Sequence, residues 1–203
     1  AGTWKISASK DNYISPPDQQ FTVNAGVTQT KDLYLQGLYA RVVGVVREQG
    51  SNTPIPGANV WAWNPKQEAG WGGPPNQTTD ASGVYTMPVY GALWYLHASQ
   101  IGWTRLSRAE RTVTDTQTLT GADIFLPRAN AEMRGTVVIS GGAPVANAYV
   151  EVWKQNAPQW EWNAANANAS GYYTMPVTAG DWVLFSTANG YTLQRAPYLT
   201  VLT

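Results

Sequence analysis

The chain has 203 residues, 43% of them hydrophobic, and its thirteen basic and thirteen acidic side chains cancel. That length suffices for two domains with separate cores, while the lack of a basic face argues against nucleic acid and no apolar run reaches membrane-spanning length. There is no cysteine, which removes disulfides, thiolate metal sites and cysteine nucleophiles and points to a prokaryotic extracellular or cell-surface protein.

Residues 1–38 open with Gly2-Thr3-Trp4, followed by Tyr13 and by the alternating run Thr30-Lys31-Asp32-Leu33-Tyr34-Leu35. Period-two alternation predicts strands over Trp4–Ser9, Phe21–Asn24 and Thr28–Leu35. The next stretch begins with Gly44-Val45-Val46 and the interleaved Pro54–Trp63, passes a Gly/Pro-rich loop holding Trp71, and turns at Asp80–Gly83 into Val84-Tyr85-Thr86. It continues through Ala92-Leu93-Trp94 and closes with Gly121-Ala122-Asp123-Ile124-Phe125-Leu126. Gly135-Thr136-Val137, Pro144–Trp153, a loop with Trp160 and Trp162, and Gly180-Asp181-Trp182 follow.

The succession is a repeat. Residues 81–89 recur as residues 169–177, 88 positions downstream, with only Val84 changed, to Tyr172. Gly2-Thr3-Trp4, Ala92-Leu93-Trp94 and Gly180-Asp181-Trp182 mark one strand three times, and 121–126 is the later copy of 30–35. Self-similarity at this spacing defines modules of ~90 residues. The division expected is 1–38, the C-terminal part of a β-sandwich module; 39–128, a complete module; and 129–203, a module lacking its last strand.

Six or seven short strands per module, with Gly/Pro turns and no helical spacing, predict an all-β chain of tandem immunoglobulin-like or transthyretin-like β-sandwich modules. Val43, Val45, Val60, Tyr85, Leu96 and Ile124 are expected in the middle core, and Val150, Tyr173 and Leu184 in the third. Trp4, Trp94 and Trp182 are expected to plug equivalent cores.

The order G-x-V, P-x-x-G-A-x-V, T-D-A-S-G-x-Y and A-L-W with a later G-W stands here at Gly44–Val46, Pro54–Val60, Thr79–Tyr85 and Ala92–Trp103. It resembles the carboxypeptidase regulatory-like family. The resemblance implies a sandwich used as spacer, stalk or adhesive unit, and it implies no chemistry.

Candidate chemistry is sparse. His97 is the only histidine and reads as an ordinary strand residue. No nucleophile elbow or Asp-rich calcium loop is present, so neither enzyme activity nor a cofactor is expected. Asp32 and Asp123 occupy equivalent positions, but the first strands hold arginine and no lysine, which argues against an internal amide crosslink. Trp71, Trp160 and Trp162 fall in equivalent loops. They are expected to fold over their own sheet, dock a neighbouring module or subunit, or stack on a sugar. Asn76 and Asn168 head N-x-S/T sequons and are candidate glycosylation sites.

The expected function is a non-catalytic surface stalk, sheath or filament, whose partners are copies of itself or neighbouring modules. Thr28, Thr30, Leu33 and Leu35 form a candidate donor strand for another copy's open sheet edge. The alternatives are a carbohydrate-binding or adhesive module whose partner is a polysaccharide, and an accessory segment of a secreted hydrolase.

Overall fold

The computed structural model describes residues 1–203 apart from 68, 70, 107, 108, 158, 192, 193, 196–198 and 203. The described residues contain strands and turns and no helix, so none is long and apolar enough to cross a membrane. The first segment carries β1 (Gly2–Ile6), β2 (Tyr13–Ile14), β3 (Gln19–Val23) and β4 (Gln36–Gly37). β1 pairs antiparallel with β3, and β2 with β4.

Next come β5 (Ala40–Glu48), β6 (Asn59–Trp63), β7 (Gln77–Thr78), β8 (Val84–Val89), β9 (Ala92–Ser99), β10 (Arg105–Leu106), β11 (Ala109–Val113), β12 (Thr118–Leu119) and β13 (Ile124–Leu126). One sheet centres on β5, which takes β8 antiparallel and both β12 and β13 parallel. The facing sheet runs β11-β9-β6-β7. The long strands β5, β6, β8 and β9 alternate inward apolar residues with outward ones, as a sandwich half-face requires. Val60, Tyr85, Trp94, Leu96 and Ile124 lie in the core between the sheets.

The third module repeats this with β14 (Ala131–Thr136), β15 (Tyr149–Lys154), β16 (Glu161–Asn166), β17 (Tyr172–Val177), β18 (Gly180–Thr187), β19 (Gln194–Arg195) and β20 (Leu199–Val201). β14 pairs with β17, and β16, β15 and β18 form the facing sheet. Val150, Tyr173, Trp182 and Leu184 lie in a second, separate core.

Three expectations are corrected. On β5 the buried side chains are Ala40, Val42 and Val46, while Val43 and Val45 are only half-buried. The face is set by Gly44, whose Cβ would lie 2.2 Å from the Ala122 carbonyl oxygen and 2.9 Å from the Tyr85 ring. The residue beneath that crossing must be glycine, and the alternating neighbours are then fixed. Trp4 is 61% exposed, because among the described residues β1 pairs with β3 alone. The strand expected over Thr28–Leu35 does not form within the chain: without a partner edge, extended backbone gains no ladder bonds. From the first segment, Ile14 and Leu38 are buried in the middle core.

Candidate functional site

The outward faces of two sheets meet at the joint between the middle and third modules. On β6 the outward positions are Trp61 and Trp63, which lie across from His97 and Tyr95 on β9. On the other side Trp153 of β15 lies across from Trp162 of β16. β10 then leaves the middle module and adds to the third module's sheet, pairing Arg105 with Trp162 and Leu106 with Glu161.

These pairings build a continuous stack. His97 lies on Trp61 at 5.4 Å and 11°, and Arg105 follows at 5.8 Å from the Trp61 ring and 4.7 Å from the Trp162 ring. Trp162 in turn lies 5.7 Å from Trp153 at 17°, and Trp160 meets Trp153 edge-on at 5.4 Å. A guanidinium held between indoles is favourable because its diffuse charge meets the electron-rich ring faces. Burial lowers the Arg105 pKa, while the Tyr149 and Glu151 charges act the other way. Burial also raises the Glu151 carboxyl, opposed by a hydrogen bond with Trp153 and by the Arg105 charge.

Beneath the stack lies a polar cluster. Glu161, 6% exposed, accepts from the hydroxyls of Thr104 and Thr178 at 2.6 Å each. Lys154 Nζ lies 3.2 Å from its other oxygen and donates to Thr178 Oγ1 at 2.6 Å. A buried carboxylate is tolerated when its lone pairs are filled in this way. Thr104 belongs to the middle module and the rest to the third, so the cluster ties the two together.

The structure separates the three tryptophans expected in loops, and Trp162 lies not in a loop but on β16, which begins one residue earlier and pairs it with Trp153 of β15. Trp160 and Trp162 reach the joint, and Trp160 is 68% exposed. Trp71 does not: it packs half-buried against the middle core, and Gly72 N–H donates to the Ser15 carbonyl at 3.2 Å. Its loop therefore docks the N-terminal segment. The sequons also differ. Asn76 is exposed just before β7, whereas Asn168 holds the turn into β17, its Oδ1 accepting from the N–H of Ser170 and Tyr172. Asp80 does the same work in the middle module.

Trp61, Trp63, Trp153, Arg105, Glu151 and Glu161 were not legible as site residues from sequence. One signal existed: aromatic residues occupy outward positions of β6 and β15 where a solvated face would carry polar ones. Among the described residues no group of three or more His, Cys, Asp or Glu could hold a metal.

No family model matches the chain, and no curated protein matches it. Among solved structures it is similar to the Bacillus anthracis TIE protein, at 13% identity and TM-score 0.39 over 99% of this chain. This chain spans 39% of that protein's length. A Streptococcal ancillary pilin matches at 10% identity and TM-score 0.40, covering 100% of this chain and 72% of the pilin. The minor pilin of Streptococcus agalactiae matches at 13% and 0.35, covering 79% and 91%. Likenesses at these levels assign no activity.

Proposed function

We propose that this chain is a non-catalytic structural protein of a prokaryotic surface, which assembles head to tail by strand exchange between copies. The observation that carries this reading is a difference between two equivalent edges. In the middle module β5 is paired along both edges, with β12 and β13 filling the outer one. Its counterpart β14 pairs with β17 alone among the described residues.

The strand that fills the first edge supports this reading by its pattern. Ala122, Ile124 and Leu126 point into the core, while Phe125 faces outward. Asp123 accepts from Val45 N–H at 3.0 Å and from Arg47 Nε at 2.9 Å. Residues 31–35 read Lys-Asp-Leu-Tyr-Leu against Ala-Asp-Ile-Phe-Leu at 122–126, lie in no strand, and leave Tyr34 76% exposed. Aligned on Gly44 and Gly135, Leu33 would face Val137 and Asp32 would receive the Thr136 N–H. A groove of about 440 Å³, lined in part by Val137, Ile139, Val145 and Ala188, adjoins that edge. Only the arginine contact has no counterpart, since Val138 stands where Arg47 would.

An open edge recruits a strand because its amide groups otherwise lack partners. Such a contact does not close on itself and so generates a filament. The test is a Leu33→Asp, Leu35→Asp double variant of the full chain, in sedimentation and electron microscopy. These side chains lie outside the buried core, so the variant is expected to fold and to stay monomeric, and a synthetic 28–35 peptide should cap assembly of the unaltered chain. Normal assembly by the double variant would overturn the reading.

A further inference from the structure

A groove of about 570 Å³ runs along the module joint, walled by Trp63, His97 and Glu110 on one side and by Glu151, Trp153, Trp160 and Trp162 on the other. That volume falls within the range of small-ligand sites. Two of its indoles face water: Trp160 is 68% exposed and Trp63 is 45% exposed. Trp160 meets Trp153 in an edge-to-face contact. The Trp153 and Trp162 rings are nearly parallel, at 17°, and Trp160 stands at 86° to Trp153. Flat apolar faces thus meet at a corner, with two carboxylates and an imidazole along the rim.

The chemistry narrows the occupant. Open indole faces take a flat ligand surface of C–H groups. Rim carboxylates accept hydrogen bonds from hydroxyls and repel an anion. Arg105 already lies over Trp162, 4.7 Å from its ring, so the protein itself supplies the cation that this ring attracts. A pyranose offers the remaining combination, with C–H groups on its faces and hydroxyls around its edge. We propose that this groove binds an uncharged polysaccharide, with sugar rings stacked on Trp160 and Trp63 and hydroxyls donating to Glu110 and Glu151. A surface filament carrying such a groove in every subunit would hold a glycan by many weak contacts at once.

The test is affinity electrophoresis of the full chain in gels containing β-glucan, glucomannan or galactan, with tryptophan fluorescence titrations using cellohexaose and mannohexaose. Retardation by at least one neutral glycan is expected, weakened at least about tenfold in Trp160→Ala at unchanged melting temperature. Trp4→Ala, exposed on β1, should leave retardation intact. The Leu33→Asp, Leu35→Asp variant should also retain glycan binding per chain, which separates this outcome from the fate of the assembly reading. No retardation by any neutral glycan, retardation unaffected by Trp160→Ala, or quenching by tetramethylammonium chloride alone would each overturn the proposal.

Discussion

A Cβ at Gly83 would lie 2.9 Å from Ile55 N and from Pro54 Cβ, and at Gly171 it would lie 2.7 Å from the Val137 carbonyl oxygen. Both glycines have positive φ, at 73° and 72°, where an L side chain adds ~1–2 kcal/mol of backbone strain before any clash. Gly83→Ala and Gly171→Ala should therefore each cost about 2 kcal/mol or more in urea denaturation. Tyr85 and Tyr173 provide a sharper contrast. The Tyr85 hydroxyl donates to the Ala122 carbonyl at 2.5 Å, and no equivalent carbonyl faces Tyr173 among the described residues. Tyr85→Phe should cost ~1–2 kcal/mol and Tyr173→Phe close to nothing in the monomer. Burial also raises the Tyr85 hydroxyl above its ordinary value. An unfolded tyrosine ionises near pH ~10 while the folded one stays neutral, so this stability is present below that pH and is lost as pH rises beyond it. Alkaline unfolding should accordingly be shallower in Tyr85→Phe.

Among the elements, β10 matters more than its two residues suggest. It carries Arg105 into the indole stack, follows Thr104 at the Glu161 cluster, and adds an edge to β16. Removing Glu161 would leave the half-buried Lys154 ammonium without its counter-charge and two hydroxyls without their acceptor. Glu161→Ala is expected to lower stability by about 3 kcal/mol in chemical denaturation, at the low end for a broken buried pair because Lys154 keeps some solvent. β5 shows where pattern reading stops. In Val42-Val43-Gly44-Val45-Val46 both parities are apolar, so alternation cannot say which face is buried. The choice follows from Tyr85 and Ala122 crossing over Gly44, contacts that come from β8 and from the segment before β13.

For the whole molecule, contacts at the joint link the two cores. The stack and the Glu161 cluster both cross it, and Ala129 N–H donates to the Gly102 carbonyl at 2.9 Å beside the linker. Calorimetry of the full chain should give a single transition over both modules. The double variant Arg105→Ala, Glu161→Ala should split it in two, the core with Trp182 melting before the core with Trp94, which also buries Ile14 and Leu38.

By itself the sequence determined the all-β class, the turn at Asp80, and the burial of Trp94 and Trp182. Each is a local matter of alternation, turn chemistry or a recurring motif, and local information lies along the chain. Trp4 shares the motif of Trp94 and Trp182 but is exposed, and Trp71 occupies a loop equivalent to that of Trp160 but packs on a core. Whether a tryptophan becomes core, joint or open platform depends on which distant surface arrives opposite it. The groove likewise exists only because the outward faces of β6 and β15, far apart in sequence, are brought together by β10. Only the tertiary structure decided that, since burial is a property of pairs of surfaces and the sequence writes down one surface at a time.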